Sequence, residues 1–153
     1  MCKPEESKEG KAGNESHGQY ISAIYRHMQI LISAELEPLR IGSGQYTFLM
    51  AIASQQPITQ KMLSERLLID KTTTAKAIAK LEAEGYVRRE VDLADKRYHQ
   101  LYLTESGVEA VPQVQAALKR VKEQTRKGIT EEQYDQFLQL LKITLHNLIG
   151  KRG

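Results

Sequence analysis

Apolar residues recur along this chain with two different periods, and the switch between them marks out its organisation. Ile21, Ile24, Tyr25, Met28, Ile32 and Leu36 follow the i, i+3, i+4, i+7 spacing of one helical face. Pro38 and the stretch Ile41-Gly42-Ser43-Gly44 interrupt it. Ser43 is the expected N-cap of a second helix over 44–54, apolar on most sides and therefore central to the core. Gln55-Gln56-Pro57 is a further break. Thr59 then caps a third helix over 60–68, with Met62, Leu63 and Leu67 on one side. Asp70 caps the next helix, its side chain accepting from N–H groups two or three residues on. Two short helices so closely spaced suggest a helix-turn-helix, although the turn lacks the common glycine. Gly85 fits the position where a left-handed backbone ends that helix.

Beyond Gly85 the pattern changes. Residues 86–91 and 98–104 are rich in β-branched and aromatic side chains, with Leu101 and Leu103 alternating with more polar neighbours. They read as two strands joined by a loop at 92–97. Helical spacing then returns, with Val108, Val111, Val114, Leu118 and Val121 in one stripe. Gly128 interrupts it. Thr130 caps a last helix with Tyr134, Phe137, Leu138, Leu141, Leu145 and Leu148 on one face. The expected fold class is mainly α with a small β-hairpin, a winged helix-turn-helix core flanked by N- and C-terminal dimerisation helices.

Residues 1–18 mix Lys, Glu, Gly, Ser and Pro with no large apolar residue after Met1, the composition of a disordered leader. The remaining divisions are a dimerisation helix over 19–41, the core over 42–104 and dimerisation helices over 105–153. A hydrophobic fraction of 41% supports one core, and a single cysteine, Cys2, rules out an intrachain disulfide framework. No apolar run approaches the ~20 residues needed to span a bilayer, and the N-terminus has no apolar segment of a secretory signal. A cytoplasmic protein is expected. The net charge of +3 is only mildly basic, so the distribution of charge matters more than its total.

Placed at ~100° per residue, Thr74, Ala77, Ile78 and Leu81 cluster on the core side of the Asp70 helix. Thr72, Lys76, Ala79 and Ala83 define the opposite side, flanked by Thr73, Ala75 and Lys80, with Glu82 and Glu84 off its centre. Alanines let such a helix sit deep in a major groove ~12 Å wide. Lysines and threonines supply donors for phosphate oxygens and base edges. Backbone N–H groups near Thr59 and Lys71 add to these. The plainer reading of this helix alone is a solvated amphipathic face. The hairpin that follows shifts the balance, because Lys96-Arg97 stands in its loop after Asp92 and Asp95. An arginine there suits a narrow minor groove of enhanced negative potential, and Asp95 is placed to hold its fork.

The ordered segments IDKTTTAKAIAKLEAEGYVRRE and DLADKRYHQLYLTESG resemble the MarR family of regulators over about 42–107. The wing pattern is Asp95-x-Arg97 followed by Leu101-x-Leu103-Thr104 and Gly107. The resemblance implies a homodimer on near-palindromic double-stranded DNA, usually a repressor released by a small ligand. Residues from Lys71 to Lys80 would face the major groove, Arg97 the minor groove, and Asp95 would orient Arg97. The expected DNA-binding set is Thr59, Lys71, Thr72, Thr73, Lys76, Lys80, Lys96 and Arg97. In the family, small aromatic acids or other apolar compounds often bind between the dimer helices and the core. Arg26 and Tyr46 are the candidates for such an effector site.

No cofactor or metal is expected, since His17, His27, His99 and His146 lack ligand spacing. Cys2 lacks a fixed base or helix N-terminus to activate it. No GxSxG, phosphate loop, HExxH or Cys–His pair suggests an enzyme. The alternative function is a winged helix that contacts protein or RNA without binding an operator, since fold alone does not settle function.

Overall fold

A computed structural model describes residues 15–150 of the chain; most of the expected leader, with Cys2, lies outside the described residues. The elements are α1 (His17–Leu36), a 3-10 turn (Glu37–Leu39), α2 (Tyr46–Ser54), α3 (Gln60–Leu67), α4 (Lys71–Ala83), β1 (Val87–Val91), β2 (His99–Leu103), α5 (Glu105–Thr125) and α6 (Glu131–Ile149). The first helix begins ahead of residue 19, because Ser16 caps it by accepting from the Gln19 N–H.

The caps expected at Thr59, Asp70 and Thr130 form, each side chain accepting an N–H from the first turn of its helix. At Thr130 the Gln133 side chain reciprocates in a capping box. Ser43 does not cap α2. The backbone turns through 43–45, with Gln45 N–H donating to the Gly42 carbonyl, and Gln45 is the N-cap residue. The Gln45 side chain reaches back to accept from the Gly42 N–H at 3.0 Å, so the turn closes on itself and the helix starts at Tyr46.

The helix-turn-helix is closed without glycine. Leu68, at φ 56°, takes the left-handed conformation after α3, and its N–H donates to the Ser64 carbonyl. At the end of α4 the N–H of Gly85 (φ 81°) donates to the Glu82 carbonyl and that of Tyr86 to the Leu81 carbonyl. These paired bonds are the Schellman arrangement, which turns the chain directly into β1.

The two strands pair antiparallel, with Val87 opposite Leu103, Arg89 opposite Leu101 and Val91 opposite His99. The segment after α2, which reads from sequence only as a break, joins this sheet. Leu101 N–H donates to the Ile58 carbonyl at 2.8 Å, and Leu103 N–H to the Gln56 side chain at 3.0 Å. The core gathers Ile32 and Leu36 from α1, Phe48, Leu49 and Ile52 from α2, Leu63 from α3, Ile78 and Leu81 from α4, and Leu101 from β2.

Two apolar residues leave their expected faces. Met62 of α3 and Val108 of α5 are exposed. The buried side of α5 is instead Gly107, Ala110, Val114, Ala117 and Val121, rich in small residues because neighbouring backbone comes close. A Cβ on Gly107 would stand 2.2 Å from the Tyr86 carbonyl oxygen. Helix α6 has no fully buried side chain.

Candidate nucleic-acid interface

Helix α4 divides as its periodicity predicts. Thr74, Ala77, Ile78 and Leu81 are buried, while Lys71, Thr72, Thr73, Lys76, Ala79 and Lys80 are exposed. Asp70 fixes its start. It accepts the Thr73 N–H through Oδ1 and the Thr73 hydroxyl through Oδ2, both at 2.7 Å. These bonds hold its carboxyl below the usual carboxylate range, the backbone N–H contributing most. The Thr73 hydroxyl proton is thereby committed to the cap, and Thr73 offers an incoming group only acceptor lone pairs. Thr59 is in the opposite position. Its Oγ1 accepts from the Met62 N–H at 3.2 Å, leaving the hydroxyl proton free to donate outward. The Thr74 hydroxyl turns inward to the Asp70 carbonyl.

The wing loop is ordered by its own acids. Asp92 accepts from the Ala94 N–H and from the Gln100 side chain across the hairpin. Asp95 accepts Arg97 Nε at 3.0 Å and Nη2 at 2.7 Å, a fork-to-fork pair. The pair lowers the Asp95 pKa and raises that of Arg97. Lys96 and Arg97 stay exposed. The Arg97 guanidinium also lies 5.9 Å from the Tyr98 ring centre.

Other ties position these groups and have no short sequence signature. Arg89 of β1 pairs with Glu82 of α4 at 2.5 Å, linking the wing to the exposed helix. Tyr86 donates its hydroxyl to the Leu39 carbonyl at 2.6 Å. Thr104 caps α5 by accepting the Gly107 N–H and donates its own hydroxyl to the Gly85 carbonyl.

Arg26 and Tyr46 stand on different helices, α1 and α2. Arg26 is exposed on α1 and donates to the Ser22 hydroxyl, and Tyr46 packs half-buried in the first turn of α2. An open hollow of about 600 Å³ lies elsewhere, where Glu37 and Arg40 face Lys80 and Glu84 of α4. Among the described residues, no three His, Cys, Asp or Glu side chains gather as a metal site, and no helix is long and apolar enough to cross a membrane.

Two helices joined by a tight turn and followed by a two-stranded hairpin with a basic loop define a winged helix-turn-helix protein. A profile of the MarR family matches residues 40–97. The chain is 31% identical over 121 residues to the uncharacterized HTH-type transcriptional regulator YybA of Bacillus subtilis, covering 79% of this chain and 81% of that protein. A MarR transcriptional regulator from Methanosarcina mazei superposes with a TM-score of 0.81 at 38% identity, over 87% of this chain and 96% of the other. A MarR-family regulator from Listeria monocytogenes, solved with a 26mer DNA, gives a TM-score of 0.82 at 27% identity, over 91% and 96%. The chain belongs to the MarR family of transcriptional regulators and is not an enzyme.

Proposed function

We propose that this regulator binds near-palindromic duplex DNA as a homodimer, with α4 in the major groove and Arg97 in the minor groove, and represses transcription until a small aromatic or apolar ligand releases it. The observation that carries the DNA reading is the wing loop, where Asp95 clasps an otherwise exposed Arg97. A fork held in place approaches a groove with less side-chain entropy left to lose. The acid-poor exposed face of α4 supports the same reading, as does the Listeria relative solved with DNA.

Dimerisation is supported by the terminal helices. Tyr20, Ile21, Ile24 and Tyr25 of α1 are exposed, as are Phe137, Leu140, Leu145 and Leu148 of α6. That is more clustered apolar surface than a monomer usually leaves in water. Pairing through these helices would set two copies of α4 about one DNA turn apart, ~34 Å. Such a regulator acts in the cytoplasm, where the chromosome is.

Fluorescence anisotropy with duplex DNA from the promoter of its own gene, against scrambled duplex, at two salt concentrations tests the proposal. Specific, salt-sensitive binding by two subunits per site is the expected result. Absence of binding to either duplex, alongside capture of a protein or RNA partner, would overturn it.

A further inference from the structure

A hollow of about 360 Å³ is lined by Gln60 and Lys61 from the start of α3, Lys71 from the start of α4, and Tyr98 from the wing. The starts of two successive helices and the wing thus bring two lysines and a tyrosine to one opening, and no carboxylate residue lines it. Among the described residues neither lysine is paired with an acid. Gln60, one of the lining residues, has its Oε1 buried with no hydrogen-bond partner, a costly state for a polar atom. Thr59 spends its cap on the Met62 N–H, so the N–H groups of Gln60 and Lys61 have no acceptor within α3.

Resting on the DNA-binding reading above, we propose that this hollow seats one phosphate of the DNA backbone, with Lys61 and Tyr98 as contacts alongside Lys71. A phosphodiester brings one negative charge and two non-bridging acceptor oxygens, which suits ammonium point charges and a phenol donor. The position selects the DNA backbone over a free anion. Lys71 opens the helix assigned to the major groove, and the Tyr98 ring lies under the Arg97 guanidinium assigned to the minor groove. A phosphate held between them sets the wing's register relative to α4, a positioning contact that carries no base information.

Lys61 and Tyr98 are exposed, so Lys61→Gln and Tyr98→Phe leave the core intact. Anisotropy titrations across salt, on the promoter duplex and on a random duplex, read the contact directly. Lys61→Gln is expected to lower the slope of log K against log salt by about 1.8, about 0.9 for each of the two subunits on a site, and to weaken binding to both duplexes by the same factor. Tyr98→Phe is expected to weaken both severalfold at unchanged slope, and Lys142→Gln on α6 to change neither. If the wild-type chain binds steeply with salt while Lys61→Gln retains its full slope, this inference fails and the DNA reading stands. If the wild-type chain binds neither duplex, both fail. Titration with inorganic phosphate alone, followed by amide NMR, separates the sources. Shifts at Gln60 and Lys61 with no slope change in Lys61→Gln would mark a small-anion site and overturn the backbone assignment.

Discussion

The Arg97 guanidinium and the Asp95 carboxylate meet through two parallel hydrogen bonds, while the Arg97 N–H donates to the same carboxylate at 3.1 Å. Three donors from one residue therefore converge on one acid, fixing backbone and side chain together. Arg97→Ala is expected to weaken binding to a natural operator on the order of tenfold to a hundredfold. Asp95→Asn keeps the cation but loosens the fork, so a smaller loss at unchanged salt slope is expected. Equal affinity of Arg97→Ala and wild type in anisotropy titrations would remove the wing from the mechanism.

The same pair has a signature in pH. The Asp95 pKa is lowered in the folded chain, so its contribution to stability is present above the unfolded value of ~3.9 and is lost as pH falls through the lower folded value. At neutral pH the clasp is intact. Carboxyl-carbon NMR should place Asp95 below an ordinary aspartate, and Arg97→Ala should return it upward. An Asp95 titration unchanged by that substitution would show that Arg97 does not hold it.

Gly107 stands where α5 passes the Tyr86 carbonyl, and a Cβ there would lie 2.2 Å from backbone oxygen. Backbone cannot swing aside as a side chain can. Gly107→Ala should therefore cost ~1–3 kcal/mol or more, the range for overpacking a filled site. Urea denaturation measures it. Gly44→Ala, with nothing near its added methyl, is the matched control.

What was legible in the sequence was local. The Thr59, Asp70 and Thr130 caps depend on residues within one helical turn, and Thr74, Ala77, Ile78 and Leu81 follow from the helical period alone. Ser43 was a reasonable cap by type, but the long side chain of Gln45 competes by folding back on Gly42. The Ile58–Leu101 bridge pairs segments with three elements between them, which no short pattern encodes. Nor does periodicity show that the Tyr86 backbone passes so close to α5 that Gly107 faces inward and Val108 outward. In the site, Lys71, Lys76 and Arg97 stand out as residue types in an ordered pattern. The hollow that joins Lys61 and Tyr98 to Lys71 exists only once α3, α4 and the wing are folded together.

Leu68 occupies a backbone region that costs an ordinary L-residue roughly 1–2 kcal/mol. Its side chain is 57% exposed, and the covered part returns roughly 1 kcal/mol in packing. Leu68→Gly removes the strain but adds ~0.5–1 kcal/mol of chain entropy cost on folding. The three terms nearly cancel, and a net change within about 1 kcal/mol is expected in urea denaturation. A loss exceeding 1 kcal/mol would show that the Leu68 side chain is covered in the assembled protein.

Leu148 is 67% exposed in the single chain, near the end of a helix that carries a row of apolar residues. If the chain acted alone, Leu148→Asp would exchange one solvated side chain for another, with a stability change within ~0.5 kcal/mol. If α6 packs against a second copy, the substitution puts an unpaired charge into an apolar seam twice per dimer, because a two-fold interface repeats each residue. Sedimentation velocity is expected to show a dimer for the wild type and a concentration-dependent shift to monomer for Leu148→Asp. The variant should also lose operator affinity, since only a dimer engages both half-sites at once. A variant that stays dimeric at the lowest measurable concentration would place the interface away from this end of α6.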